Sequence, residues 1–288
     1  MLGYNDRMER TSPPSTSVAV GSTAKTLSVG SGHMCAVLSN DRIKCWGSNT
    51  YGELGYASAG ILGYLQPPAS YVTTGFSVQT VHTSSSYTCV LLTNGQSKCW
   101  GSGLAGKLGY GDTTTRKVPD SKYISLGTGL SVKQITQGSI HVCVLLNNNK
   151  VKCWGHNSSG QLGYGDTSQR LSPPSAFVDL GAGRTATYIA AGESHTCVIL
   201  DNGQVKCWGK NASGELGYGD TTNRNKPASA TVSIGTGRRA IQLSLGVGFT
   251  CALLDNHEVK CWGNNQYGQL GYGDKTNRTK PATSVISF

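Results

Sequence analysis

Ten cysteines carry the first chemical signal in this 288-residue chain. Cys35, Cys89, Cys143, Cys197 and Cys251 recur every 54 residues, and Cys45, Cys99, Cys153, Cys207 and Cys261 follow each of them at a distance of ten. Thiols in such a pattern could bridge, hold a metal or lie reduced in a core. The even number and strict pairing favour five bridges, each within its own copy, over a row of buried thiols. A zinc site is disfavoured, because a ten-residue spacing matches no common finger and no histidine cluster lies alongside. Bridges place the chain in an oxidising setting, extracellular or at a cell surface. The polar stretch from Met1 to Arg10 lacks the apolar run of a secretory signal, so export would require a leader outside this sequence.

The remaining reactive residues point away from catalysis. His33, His141 and His195 stand two residues before the first cysteine of their copies, where the other copies have Tyr87 and Phe249. A slot that also accepts Tyr and Phe is a packing slot, and no acidic residue recurs beside it to orient a general base. His82, His156 and His257 fall outside the slot and read as surface or loop residues. Gly101 to Lys107 has the glycine spacing of a phosphate-binding loop, but Leu108 stands where Ser or Thr should hold magnesium. Asp112, Asp166, Asp220 and Asp274 each follow Tyr-Gly and are expected to cap a turn or to pair with Arg116, Arg170, Arg224 and Arg278. No catalytic residue, metal site or cofactor is therefore assigned, and a hydrolase or lyase site is the weakest reading.

Two repeated sets are candidates for binding. Lys44, Lys98, Lys152, Lys206 and Lys260 always precede the second cysteine and could form a basic track, or lie solvated over an indole. Tyr110, Tyr164, Tyr218 and Tyr272, with Tyr4 and Tyr56 at the same phase, could line a glycan- or protein-binding rim, or pack between elements. Glycosylation sequons begin at Asn157, Asn211 and Asn277.

The elements that must position these residues follow from the period. Each copy has a head, as in His195 to Gly209, and a tail, as in Gly214 to Asp220; there are five heads and six tails. The chain reads as one repeat domain, 1–288, with a partial repeat over 1–30 and repeats centred on 35–45, 89–99, 143–153, 197–207 and 251–261. One copy contains four short strand candidates, such as Phe177 to Leu180, Ala186 to Ala190, Thr196 to Leu200 and Gln204 to Trp208, which is the composition of a propeller blade. The last two form a hairpin with a three-residue loop, whose third position is Asp41, Gly95, Asn149, Gly203 or His257, types that tolerate positive φ. Cys197 and Cys207 lie symmetrically about Asn202, so they face each other at a non-hydrogen-bonded pair with Cα atoms ~4.5 Å apart, close enough to bridge. Such short loops gain no more than ~3 kcal/mol each by chain entropy, so the bridges act chiefly as clamps on the hairpins.

Only 14% of residues are charged, with 39 glycines and a 37% apolar share, which argues against long helices. The formal charge of +10 favours anionic partners. No run of about 18 apolar residues suggests a membrane-spanning helix.

The stretch from Val205 to Asp220, with Gly192-Glu193-Ser194-His195-Thr196 before it, resembles the repeat of the regulator of chromosome condensation (RCC1-like) family. The resemblance covers nearly the whole chain, since Trp-Gly-x-Asn-x-x-Gly-x-Leu-Gly recurs at blade length. It implies an all-β propeller of four-stranded blades built from 54-residue repeats. Family rings commonly close with seven blades, so five heads imply either further sequence or an open array. Leu2 to Val20 and Leu270 to Phe288 occupy the same repeat phase, so the ends duplicate one another and could stack on the next molecule as a filament. The family's guanine-nucleotide exchange and chromatin binding do not carry over, because this chain has no insertion between its heads and is built around disulfides. The expectation is an extracellular structural or protein-interaction module whose partners are proteins, including copies of itself. A lectin-like or polyanion-binding propeller is the alternative, with nucleic acid disfavoured.

Overall fold

The computed structural model describes residues 2–6, 8–9, 11–57, 64–284 and 286. It falls into two compact units, residues 1–125 and 126–288. The first holds β1 (Ala24–Val29), β2 (His33–Leu38), β3 (Ile43–Gly47), β4 (Val78–Thr83), β5 (Tyr87–Leu92) and β6 (Ser97–Gly101). The second holds β7 (Val132–Gln137), β8 (His141–Leu146), β9 (Val151–Gly155), β10 (Ala186–Ala191), β11 (His195–Leu200), β12 (Val205–Gly209), β13 (Ala240–Leu245), β14 (Phe249–Leu254) and β15 (Val259–Gly263). Each consecutive trio forms one antiparallel sheet in chain order, two sheets in the first unit and three in the second. The single helical turn among the described residues is a 3-10 turn at Leu104–Gly106, within the stretch that has phosphate-loop spacing.

The hairpins form as the turn chemistry requires. Leu200 N–H donates to the Gln204 carbonyl at 2.8 Å, and Gly203 N–H donates back to the Leu200 carbonyl at 2.9 Å. The third loop position is left-handed in every copy, with φ of 60° at Asp41, 77° at Gly95, 60° at Asn149, 80° at Gly203 and 66° at His257. That register sets Cys197 opposite Cys207, as it does the other four pairs. All five bridges are formed, each with its Cα atoms 4.1 Å apart.

Each sheet has three hydrogen-bonded strands, and the fourth strand candidate of a copy runs beside the sheet without joining it as a strand. Phe177 to Leu180 is not a strand. Its one backbone–backbone bond runs from Val178 N–H to the Val151 carbonyl at 2.9 Å, along the outer edge of the preceding sheet. Val72, Ile124, Val232 and Ile286 bond in the same way to Ile43, Ser97, Val205 and Val259. Pairing cannot spread, because Pro173 and Pro174 lack N–H groups on one side and the chain turns at Gly181, φ 101°, on the other.

Within each unit the core lies between successive sheets. Cys143, Leu145, Val151 and Cys153 pack against Ala186, Ile189, Val198, Leu200 and Trp208 of the next sheet. Cys197, Ile199, Val205 and Cys207 repeat this against Ala240, Leu243, Ala252, Leu254 and Trp262, and the first unit shows the same arrangement around Trp100. Within each unit a sheet thus covers its cystine face with the tryptophan face of the next. Every bridging cysteine except Cys251 is buried, so the cystines are core residues as well as clamps. Of the duplicated ends, Arg7, Arg10, Val285, Ser287 and Phe288 lie outside the described residues, as does Met1.

Candidate functional site

The three slot histidines are explained by the sheet that follows. His195 Nε2 lies 2.9 Å from Thr250 Oγ1, and that hydroxyl donates to the Glu215 carbonyl at 2.9 Å. A threonine has one proton to give, so the hydroxyl accepts from the imidazole and fixes the Nε2–H tautomer. His33 meets Thr88 and the Glu53 carbonyl in the same way, and His141 meets Thr196 and the Gln161 carbonyl. The same carbonyls accept the indole N–H of Trp100, Trp208 and Trp262 at 2.9 to 3.0 Å. Burial lowers the imidazole pKa to about 4 at His33 and about 3 at His141 and His195, so all three are neutral ring spacers. The sequence did not single out the threonines. Of the histidines assigned to surface or loop, His82 instead stands in β4 with its ring against Thr80.

The tyrosine set faces inward too. Tyr218 Oη accepts the Cys207 N–H at 3.0 Å and donates to the Cys207 carbonyl at 3.2 Å, satisfying the edge of β12. Tyr56, Tyr110, Tyr164 and Tyr272 accept from Cys45, Cys99, Cys153 and Cys261. Burial raises the phenol pKa to about 12 at Tyr110 and Tyr164, which keeps the donating proton in place. Arg116, Arg170, Arg224 and Arg278 stack 4.3 to 4.4 Å from the ring centroids of Tyr110, Tyr164, Tyr218 and Tyr272. Each guanidinium also forks onto its aspartate, as Arg224 does on Asp220 at 2.7 and 3.1 Å. These bonds hold the carboxyls of Asp112, Asp166, Asp220 and Asp274 below the usual carboxylate range. Asp220 also caps its own turn through Thr222 N–H, so both roles expected of the aspartates are filled.

Lysines and sequons are drawn into the same framework. Lys152 Nζ donates to the Leu126 carbonyl at 2.8 Å and Lys206 Nζ to the Leu180 carbonyl at 3.0 Å. Lys44 and Lys98 lie over the Tyr71 and Tyr123 rings. All five of these lysines, including Lys260, are buried, and burial lowers the pKa of Lys98, Lys152 and Lys206. Asn157 and Asn211 are wholly buried, their amides donating to Asp166 and Ser168 and to Asp220 and Thr222. Asn277 is exposed, and its side-chain oxygen accepts the Asn265 N–H.

What remains for a partner is loop surface. A groove of about 760 Å³ in the second unit is lined by Asp179, Lys206, Arg224 and Lys226 among serines and asparagines. Lys226 is exposed, while Lys206 and Arg224 are already bonded within the chain. Among the described residues no group of three or more His, Cys, Asp or Glu side chains is gathered as metal ligands would be. Among the described residues no helix is long and apolar enough to cross a membrane.

Comparison with known proteins gives a consistent result. The family described as RCC1-like domain matches residues 1–287. The ultraviolet-B receptor UVR8 of Arabidopsis thaliana is 30% identical over 256 residues, covering 88% of this chain and 56% of UVR8. This chain therefore spans about half the length of that relative. Human WBSCR16 superposes with a TM-score of 0.79 at 19% identity, over 91% of this chain and 66% of that one. Yeast RCC1 (Prp20), solved bound to Kap60, gives a TM-score of 0.73 at 20% identity, over 91% and 63%.

Proposed function

This chain belongs to the RCC1-like domain family, and on that premise we propose that it is a non-catalytic protein-interaction module working in an oxidising, extracellular or cell-surface setting. The observation that carries the reading is the fate of the repeated polar residues. Histidine, tyrosine, lysine, arginine and aspartate are spent on holding one segment to the next, while five cystines replace the reduced interior of a cytosolic protein. Loops and sheet faces are left to meet partners, and yeast RCC1, similar in fold, is solved bound to a protein, Kap60. The finer form of the proposal is that the partners include further copies of this chain.

A polyanion track on the five lysines is less favoured, since all five are buried and the ammonium groups of Lys44, Lys98, Lys152 and Lys206 face the chain's own carbonyls and rings. The test uses immobilised, unreduced chain offered both extracellular proteins and heparin. Retention of a defined protein through moderate salt supports the reading. Binding only to heparin, falling steeply with ionic strength, would replace it with the polyanion reading. Free thiols in protein recovered from its source would remove the oxidising setting.

A further inference from the structure

The copy centred on 89–99 shows what its cations require. Arg116 forks onto Asp112 through Nη1 and Nη2 and donates from Nε to a second carboxylate, Asp120, at 2.8 Å. Asp120 is also close enough to Lys98, in β6, to favour its charged form, and the centroid of the Tyr123 ring stands 4.9 Å from the same ammonium. One carboxylate and one ring thus complement a guanidinium and a buried ammonium.

Two periods of 54 residues later the cations are kept and both complements are lost. Arg224 stands for Arg116 and Lys206, in β12, for Lys98, but Ala228 takes the place of Asp120 and Thr231 that of Tyr123. Arg224 bonds to Asp220 and to the Thr222 carbonyl through Nη1 and Nη2, and Ala228 offers Nε no acceptor. Lys206 gives one hydrogen bond, to the Leu180 carbonyl at 3.0 Å, where an ammonium has three protons to donate. In the intervening copy Pro174 also lacks a carboxylate, but the centroid of the Phe177 ring still stands 5.1 Å from Lys152 Nζ.

The loss coincides with the groove of the second unit. Lys206, Arg224 and Ala228 all line it, with the exposed Lys226 beside them. Glycine at 181, where an added Cβ would come to 3.4 Å from Lys206 Nζ, leaves that approach bare. Asp179 is the opposing charge among the lining residues; it is exposed and accepts the Gly181 N–H at 2.9 Å. The volume of about 760 Å³ falls within the range of roughly 300–1,000 Å³ that ligand sites occupy.

We propose that this groove binds an Asp or Glu side chain from an acidic segment of a partner protein, in the position that Asp120 fills within the chain. The inference rests on the interaction-module reading and names the chemistry of its partner. The incoming carboxylate accepts Arg224 Nε–H and neutralises Lys206, as Asp120 does for Arg116 and Lys98, while Lys226 faces the flanking peptide. None of the lining residues is aromatic, so an acidic sugar has no ring face to stack on and a peptide is the favoured occupant.

The test titrates the full, unreduced chain into a dye-labelled peptide of alternating Asp and Gly, read by fluorescence anisotropy, with the Asn–Gly analogue as its uncharged match. Saturable binding of the Asp peptide is expected, with the analogue weaker by ~10-fold or more. Ala228→Asp introduces the residue native to this place in the copy centred on 89–99, so it is compatible with folding. It supplies the carboxylate from within the chain and weakens binding of the Asp peptide ~10-fold, whereas Ala228→Asn, similar in size but uncharged, binds as the parent does. The Arg224 Nε–H resonance shifts in the same direction when the parent takes up the Asp peptide and in the Ala228→Asp chain alone. Equal binding of the two peptides, an Ala228→Asp chain that binds as the parent does, or an Ala228→Asn chain that loses as much as Ala228→Asp, overturns the inference. A polygalacturonate oligomer that binds the parent more tightly than the Asp peptide, and is excluded by Ala228→Asp, assigns the groove to an acidic glycan and overturns it too. If the inference fails while the parent and Ala228→Asp chains both retain the same defined protein, the interaction-module reading stands.

Discussion

Replacing Thr250 by valine removes one hydroxyl at constant volume, and the structure sets the size of the effect. The hydroxyl receives His195 Nε2–H at 2.9 Å and donates to the Glu215 carbonyl at 2.9 Å. After Thr250→Val the carbonyl keeps Trp262 Nε1 at 3.0 Å, but the imidazole N–H has lost its acceptor at a site where His195 is 1% exposed. A buried orphan donor of this kind costs about 1–3 kcal/mol. His195→Phe should cost less, since it leaves Thr250 bonded to Glu215 and Phe249 already fills the same slot against Gly246 as His195 does against Gly192. Adding Thr250→Val to His195→Phe should then be nearly neutral, giving a coupling of about 1–2 kcal/mol between the two sites. Native-state hydrogen exchange of the β11 and β14 amides, with the bridges intact, reads this locally without assuming that all sheets unfold together. If Thr250→Val costs the same with His195 present as with Phe in its place, the imidazole does not depend on the hydroxyl and the account of the slot fails.

Acid should weaken the fold earlier than carboxylate titration alone would. The unfolded histidines ionise near 6.5, while burial holds the folded ones near 4 at His33 and near 3 at His141 and His195. Below pH 6.5 the unfolded chain takes up protons that the folded chain refuses. Stability is therefore full above that pH and falls toward pH 4, each histidine contributing up to about 1.4 kcal/mol per pH unit. A melting temperature that stays flat from pH 6.5 to 4 would refute this. Gly203→Val should destabilise its hairpin by about 1 kcal/mol or more, because φ is 80° there and a Cβ would sit 2.6 Å from Arg239 Cβ; an unchanged unfolding midpoint would contradict it. In a host that glycosylates, mass spectrometry should find sugar at Asn277 and not at Asn157 or Asn211, whose amide protons are already committed. Glycan at Asn211 in folded protein would mean that the tail is held differently.

The hairpins were legible because local chemistry specifies them. A loop of fixed length with a left-handed third residue sets the register, and the register sets the bridges. The fourth strand was not legible, since Phe177 to Leu180 has strand composition but only Val178 finds a backbone partner in the sheet between the proline pair and Gly181. The tyrosines and lysines show the limit most plainly. A fixed phase says that Tyr218 repeats a role; it does not say whether its hydroxyl meets solvent or the Cys207 backbone eleven residues earlier. The Thr250 role was written in the chain, though only as a pairing of residue types 55 positions apart, which no single-copy pattern displays.

The contacts that join one copy to the next recur at constant offsets: 55 residues from histidine to threonine, 35 from threonine to carbonyl and 47 from indole to carbonyl. A gene segment encoding 54 residues therefore brings with it both halves of the joint it will need. Unequal recombination that adds or removes one such segment leaves every remaining joint chemically complete, provided that a histidine copy is still followed by a threonine copy. Length in this lineage can thus change by whole copies at little cost in foldability, while single-residue insertions within a copy break several joints together.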